Sequence, residues 1–229
     1  LFSFCETDPA ATDWRTNERQ FYHLYEISAD GSGLLQLTDG PYDDFSPRYL
    51  PHGKILFVST RRGGFHRCGR GPCYVYTLAV AEADGSNPHP ISFHETNEWA
   101  PIVNHSGKIV YTRWDYVDRH WGTAHHYWEC FPDGRDPRNF HGNYPLPWSA
   151  MPEEVPPEQY GKGHLGYGRK WRPDAEISFR PVPDSPEYTA TAVGHHEGFS
   201  GSLVLLDPRI ADDGKMVQLK RITPEYAFP

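Results

Sequence analysis

One long passage occurs twice in this chain, and that repetition limits its possible folds more than any other feature. Tyr22–Thr60 is followed by a second copy, Tyr76–Trp114. Asp30-Gly31-Ser32 recurs as Asp84-Gly85-Ser86, Pro47 as Pro101 and Gly53-Lys54 as Gly107-Lys108, always 54 positions on (30 to 84). A constant offset across separated landmarks marks an internal repeat. Within the first copy four short apolar segments, Phe21–Ser28, Leu34–Thr38, Pro47–Leu50 and Lys54–Ser59, are rich in aromatic and β-branched residues. They are separated by Asp-Gly-Ser, Asp-Gly-Pro and Pro-His-Gly. These are strands and turns rather than helices.

Four strands per repeat predict an all-β fold, a β-propeller of four-stranded antiparallel blades. A sandwich or a string of hairpins has the same strands but no reason to keep a fixed period. About four blades are expected, as one partial propeller over residues 1–229 with a long insertion at about 141–175. Leu1–Phe4 reads as the end of a strand whose own blade is missing, so the expectation is a fragment of a longer protein.

If the strands are lettered A to D from the channel outward, A–B and C–D turns share one face. They are tight: Pro51-His52-Gly53, His105-Ser106-Gly107, Asp30–Gly33 and Asp84–Asn87. The B–C and D–A connections share the other face and are long and rich in Cys, His, Arg and carboxylates. That face is where a site is expected.

Its first candidate is Arg61–Pro72, RRGGFHRCGRGP. There Arg61, Arg62, His66, Arg67 and Arg70 form a positive cluster in a chain of net charge −8. An anion such as a carboxylate or phosphate fits it; pairing with neighbouring Asp and Glu fits equally. Cys68 and Cys73 bracket a Gly-Arg-Gly-Pro turn, as a disulfide closing a tight loop or as ligands of a metal or cofactor. His94 and Glu95 precede a strand, and Asp115 lies beside Arg113 in the next long loop with His125-His126. His195-His196-Glu197 is the most ligand-like local cluster, a place for a divalent metal. Cys130 falls in a C strand and reads as a buried apolar residue.

The acidic balance, with pI about 5.9, argues against nucleic acid as main partner. No apolar run approaches the ~20 residues of a membrane span. A Cys68–Cys73 disulfide would place the chain outside the cytoplasm.

The stretches HRCGRGPCYVYTL, SFHETNEW, IVYTRWDYVDR, PDGRDPR, HGNYP and HHEGFSGSLVLLDPRI resemble the middle domain of the hydrazine synthase alpha subunit and its bacterial relatives. The repeats themselves are similar to TolB-type propeller repeats. The resemblance implies a periplasmic or otherwise extracytoplasmic propeller within a larger protein, docking other domains or subunits, haem-bearing ones among them. No Cys-x-x-Cys-His occurs, so this chain has no motif for attaching c-type haem. Two functions follow: a scaffold or docking module of a haem- or metal-dependent redox protein, or a metal-dependent enzyme. The enzyme reading covers a lyase on acidic sugars working from the long-loop face.

Overall fold

The computed structural model describes residues 1–6, 20–66, 68, 73–116, 125–143, 173–194, 201–211 and 216–223. Their strands are β1 (Phe2–Phe4), β2 (His23–Glu26), β3 (Leu35–Gln36), β4 (Asp44–Tyr49), β5 (Ile55–Ser59), β6 (Thr77–Ala81), β7 (His89–Pro90) and β8 (Glu98–Val103). They continue with β9 (Ile109–Trp114), β10 (His125–Cys130), β11 (Arg138–Asn139), β12 (Ala175–Pro181), β13 (Tyr188–Val193), β14 (Ser202–Leu206) and β15 (Leu219–Arg221). A single 3-10 turn, Met216–Gln218, is the one helical element among the described residues. Two compact units divide the chain, Leu1–Pro101 and Ile102–Pro229.

In the first unit β1-β2-β3 form one antiparallel sheet and β4-β5-β6-β7 another. Every residue of β5 (ILFVS) and β6 (TLAVA) is buried. A strand covered on both faces has no solvent side to make polar, so its sequence runs apolar without alternating. Leu24 and Leu37 of the first sheet's side pack with Ile55, Phe57, Ala79 and Ala81 to make the core.

In the second unit one eight-stranded sheet runs β15-β14-β13-β12-β10-β9-β8, with β11 paired to β10; its edge strand β8 runs across the unit boundary. The β10–β12 contact is parallel and consists of one pair, His125↔Ala175, whereas β12–β13, β13–β14 and β14–β15 are antiparallel. The core gathers Val110, Tyr127, Phe179, Tyr188, Val204, Leu206 and Leu219. The Tyr127 ring meets Phe179 and Tyr188 edge-on at 5.0 and 5.2 Å, the arrangement an aromatic quadrupole favours.

The all-β expectation holds and the architecture is propeller-like. The finer picture of separate four-stranded blades is not established by the sheets: among the described residues one has three strands, one four and one eight, and none closes on itself. The expected strands at Tyr188–Val193 and Ser202–Leu206 fall on β13 and β14. His125-His126, expected in a loop, belong to β10 because its pairing with β9 extends to His125↔Trp114. Of the expected 141–175 insertion, positions 144–172 lie outside the described residues.

The repeat is written in backbone as well as in sequence. Asp30, Asp84 and Asp133 each accept the N–H of the residue two further on, from Ser32, Ser86 and Arg135, closing the C–D turns. Ser46, Ala100 and Ser178 occupy matching places in β4, β8 and β12, and all three have positive φ, at 53, 47 and 57°. Register slips at this point in β4 and β12, so an extra residue bends each inner strand.

Gly85 shows why its turn cannot carry a side chain. Its φ is +82°, and a Cβ would lie 2.0 Å from the Leu37 carbonyl oxygen. The equivalent Gly31 has φ +84° and open space. Gly85→Ala should therefore cost about 3 kcal/mol in chemical denaturation, and Gly31→Ala only about 1 kcal/mol, for the left-handed backbone alone.

Candidate functional site

In the first unit the long connections converge on a cavity of about 560 Å³. Tyr22, Phe45, Tyr74 and Tyr76 supply aromatic wall; Asp43, Thr60, His66, Cys73 and Asn97 supply polar groups. The repeat builds it symmetrically. Asp43 Oδ1 accepts the N–H of Tyr22 at 3.1 Å, and the equivalent Asn97 Oδ1 accepts that of Tyr76 at 3.3 Å. Trp99 Nε1 donates to the Tyr76 hydroxyl at 2.8 Å, and Phe45 meets the Tyr76 ring edge-on at 5.3 Å. Burial, the larger influence, pushes the Tyr76 phenol upward in pKa, so it stays protonated.

The two ends of the Arg61–Pro72 loop are drawn together by backbone pairing. His66 N–H bonds Cys73 O at 3.0 Å, Val75 N–H bonds Gly64 O at 3.2 Å, and Phe65 bridges to Tyr74. Cys68 N–H donates to His66 Nδ1 at 3.2 Å, which keeps that nitrogen unprotonated. Desolvation lowers the His66 pKa in agreement. The loop thus presents a neutral imidazole and the Cys73 thiol to the cavity. Cys68 and Cys73 are both free thiols in this structure, where backbone bonds draw the ends of the loop together.

The other expected residues are spread out. Arg61 is engaged with Asp44, its Nη2 at 2.7 Å from Oδ2 and its Nε at 3.2 Å from Oδ1; a further Nη2 bond reaches Asp39 O. Arg62 caps the carbonyl of Gly63. Neither lines the cavity, nor do half-buried His94 and exposed Glu95. Asp115 accepts from Arg113 Nε at 3.0 Å in the second unit. Arg67, Arg70, His195 and His196 lie outside the described residues. Cys130 is buried in β10.

A second constellation went unseen in the sequence. Two residues before each of the positive-φ positions Ser46, Ala100 and Ser178 stands a buried carboxylate: Asp44, Glu98 and Glu176. Asp44 takes Arg61 and the Ser59 hydroxyl. Glu98 takes the Leu78 N–H and the Ser92 hydroxyl. Glu176 instead faces two imidazoles, His126 Nδ1 at 2.6 Å from Oε2 and His141 Nε2 at 3.4 Å from Oε1. Thr112 Oγ1 donates to the Glu176 carbonyl at 2.7 Å and fixes the backbone there. All three acid and imidazole side chains are buried. The available signal was positional: Glu176 sits where Asp44 and Glu98 sit, two residues ahead of the matching positive-φ position.

Desolvation is the largest influence on Glu176 and raises its pKa. The combined charge and hydrogen bonds of His126 and His141 outweigh it and hold the carboxyl at about 2, from an ordinary 4.5. A depressed carboxyl adds stability above its unfolded value and loses it as pH falls through the folded one. The denaturation midpoint of the native chain should thus fall between about pH 5 and pH 2. Glu176→Gln should lower the midpoint at neutral pH and flatten that slope. For Asp44, removing one partner of a buried pair strands the other, so Asp44→Ala should cost about 3 kcal/mol by denaturant melt.

No family profile matches this chain, and no curated protein matches it in sequence. Among solved structures it is similar to Kuenenia stuttgartiensis hydrazine synthase, with TM-score 0.59 and 16% identity, over 90% of this chain and 30% of that one. The likeness is one of fold. A chain of the nidogen/laminin complex aligns with TM-score 0.51 at 12% identity, over 90% of this chain and 58% of that one. TolB from Acinetobacter baumannii aligns with TM-score 0.42 at 11% identity, over 89% and 49%. The chain therefore spans under two thirds of the solved chains it resembles.

Proposed function

We propose that this chain is a scaffold and docking module, part of a β-propeller of four-stranded blades, that seats a neighbouring domain or subunit in the first unit's cavity. The observation that carries the reading is the cavity's construction. Four connections distant in sequence meet there, and the cavity's exposed wall is aromatic, with Tyr22 and Tyr74 each more than two-fifths exposed and Phe65 packed on the Tyr74 ring at 5.0 Å. Aromatic side chains beside hydrogen-bonding groups are the composition of a recognition surface.

The chain's span of 30% of the hydrazine synthase chain fits a module within something longer. A haem- or metal-dependent redox host and a place outside the cytoplasm belong to the same proposal; they rest on the resemblance of the motifs. No helix among the described residues is long and apolar enough to cross a membrane.

The test is calorimetric titration of residues 1–229 with the separately expressed flanking segments of the full-length protein. Saturable binding is expected, weakened by about tenfold or more in Tyr74→Arg with an unchanged melting temperature. Absence of binding, or binding indifferent to Tyr74→Arg, would overturn the docking role.

A further inference from the structure

The repeat acts as its own control, and against it the second unit departs at one place. Strand D ends on a hydroxyl in three repeats: Thr38, Ser92 and Thr223 accept the N–H of Leu24, Leu78 and Leu203 at 3.0, 2.9 and 2.9 Å. The equivalent residue after β11 is His141, and it turns to Glu176 instead. Gly142 follows with φ +99°, and a Cβ there would lie 2.1 Å from the His126 ring. The backbone is thus pared away to seat that imidazole. The two rings stand 84° apart with centroids at 5.8 Å, both aimed at the same carboxylate.

Hydrogen bonding fixes what His141 presents. Gln218 Nε2 donates to Phe140 O at 2.9 Å and Ile210 O at 2.8 Å, so its Oε1 is the atom facing His141 Nδ1 at 2.8 Å. An amide oxygen only accepts, so Nδ1 carries the proton and Nε2 is the ring atom turned to Glu176. Glu176 Oε1, fully buried, makes no hydrogen bond among the described residues. His141 Nε2 and Glu176 Oε1 stand 3.4 Å apart. That separation matches one edge of a tetrahedral shell of bonds about 2.0–2.1 Å long.

We propose that His126, His141 and Glu176 hold a first-row divalent transition ion, with zinc as the reference metal. Two imidazole nitrogens and one carboxylate oxygen select that class over calcium or magnesium, which take oxygen shells. Gln218 is the outer partner that orients His141. Entry of the ion replaces the hydrogen bond on the 2.6 Å His126–Glu176 edge, and that edge widens. Three protein ligands leave a fourth position for water or another group. The site is independent of the docking cavity, which lies in the first unit.

The full chain, stripped with chelator, should take up one equivalent of zinc chloride in a calorimetric titration. Cobalt chloride should give visible absorption bands of a low-symmetry, imidazole-bound ion. His141→Thr installs the residue type other repeats tolerate, and circular dichroism and a thermal melt verify its fold. It should bind zinc about 100-fold more weakly, as should Glu176→Gln, which keeps the side-chain volume. Uptake lost in the Cys68→Ser/Cys73→Ser double variant but retained in His141→Thr would overturn the assignment. So would the absence of zinc and cobalt uptake by the native chain.

Discussion

A carboxylate buried in a sheet must be neutralised where it sits, and this chain buries one at the head of three inner strands. Asp44, Glu98 and Glu176 are each at most 1% exposed. Leaving any of them unpaired would cost more than a typical core substitution. Each therefore dictates what its neighbourhood must contain: a guanidinium for Asp44, a backbone N–H and a hydroxyl for Glu98, two imidazoles for Glu176. The common placement comes from the fold; the differing partners are where one repeat acquires chemistry another lacks.

The positive-φ residue that follows each carboxylate, with a bulge in β4 and β12, belongs to the same design. A residue with positive φ inserted into a strand shifts the alternation by one, and side chains beyond it change face. In β4 buried Asp44 precedes Ser46 and buried Pro47 follows it; in β8 buried Glu98 precedes Ala100 and buried Pro101 and Ile102 follow. Non-glycine residues hold this strained conformation at three matching positions, so the surrounding sheet over-determines it. The connections leaving these strand heads in the first unit are those that line the cavity.

Much of this was legible before any coordinates. The constant offset of Asp-Gly-Ser, Pro and Gly-Lys disclosed the repeat, and those landmarks became the Asx turns of Asp30 and Asp84 and the inner-strand and turn positions of Pro47 and Gly53. The gathering of long connections in the first unit was also foreseeable, because it follows from antiparallel succession alone. How the sheets would merge was not: a single parallel pair, His125↔Ala175, joins β10 to β12, and residue types do not encode one pair. The partners of the buried acids were equally hidden. His126, His141 and Glu176 are separated by up to 50 positions (126 to 176), with no local spacing to betray them. Local density favoured Arg61–Arg70 and His195-His196 instead, and Arg61 proved to be committed to Asp44. Clusters in sequence and clusters in space are different things in a sheet protein, where neighbours along a strand point to opposite faces.

The seating of Gly85 on the Leu37 carbonyl reaches beyond sterics. Leu37 closes one repeat and Gly85 turns the next, so backbone rests on backbone where two successive sheets meet. Neither can slide past the other by a rotamer change, as side chains could. An opening event that parts these two sheets must break this backbone contact.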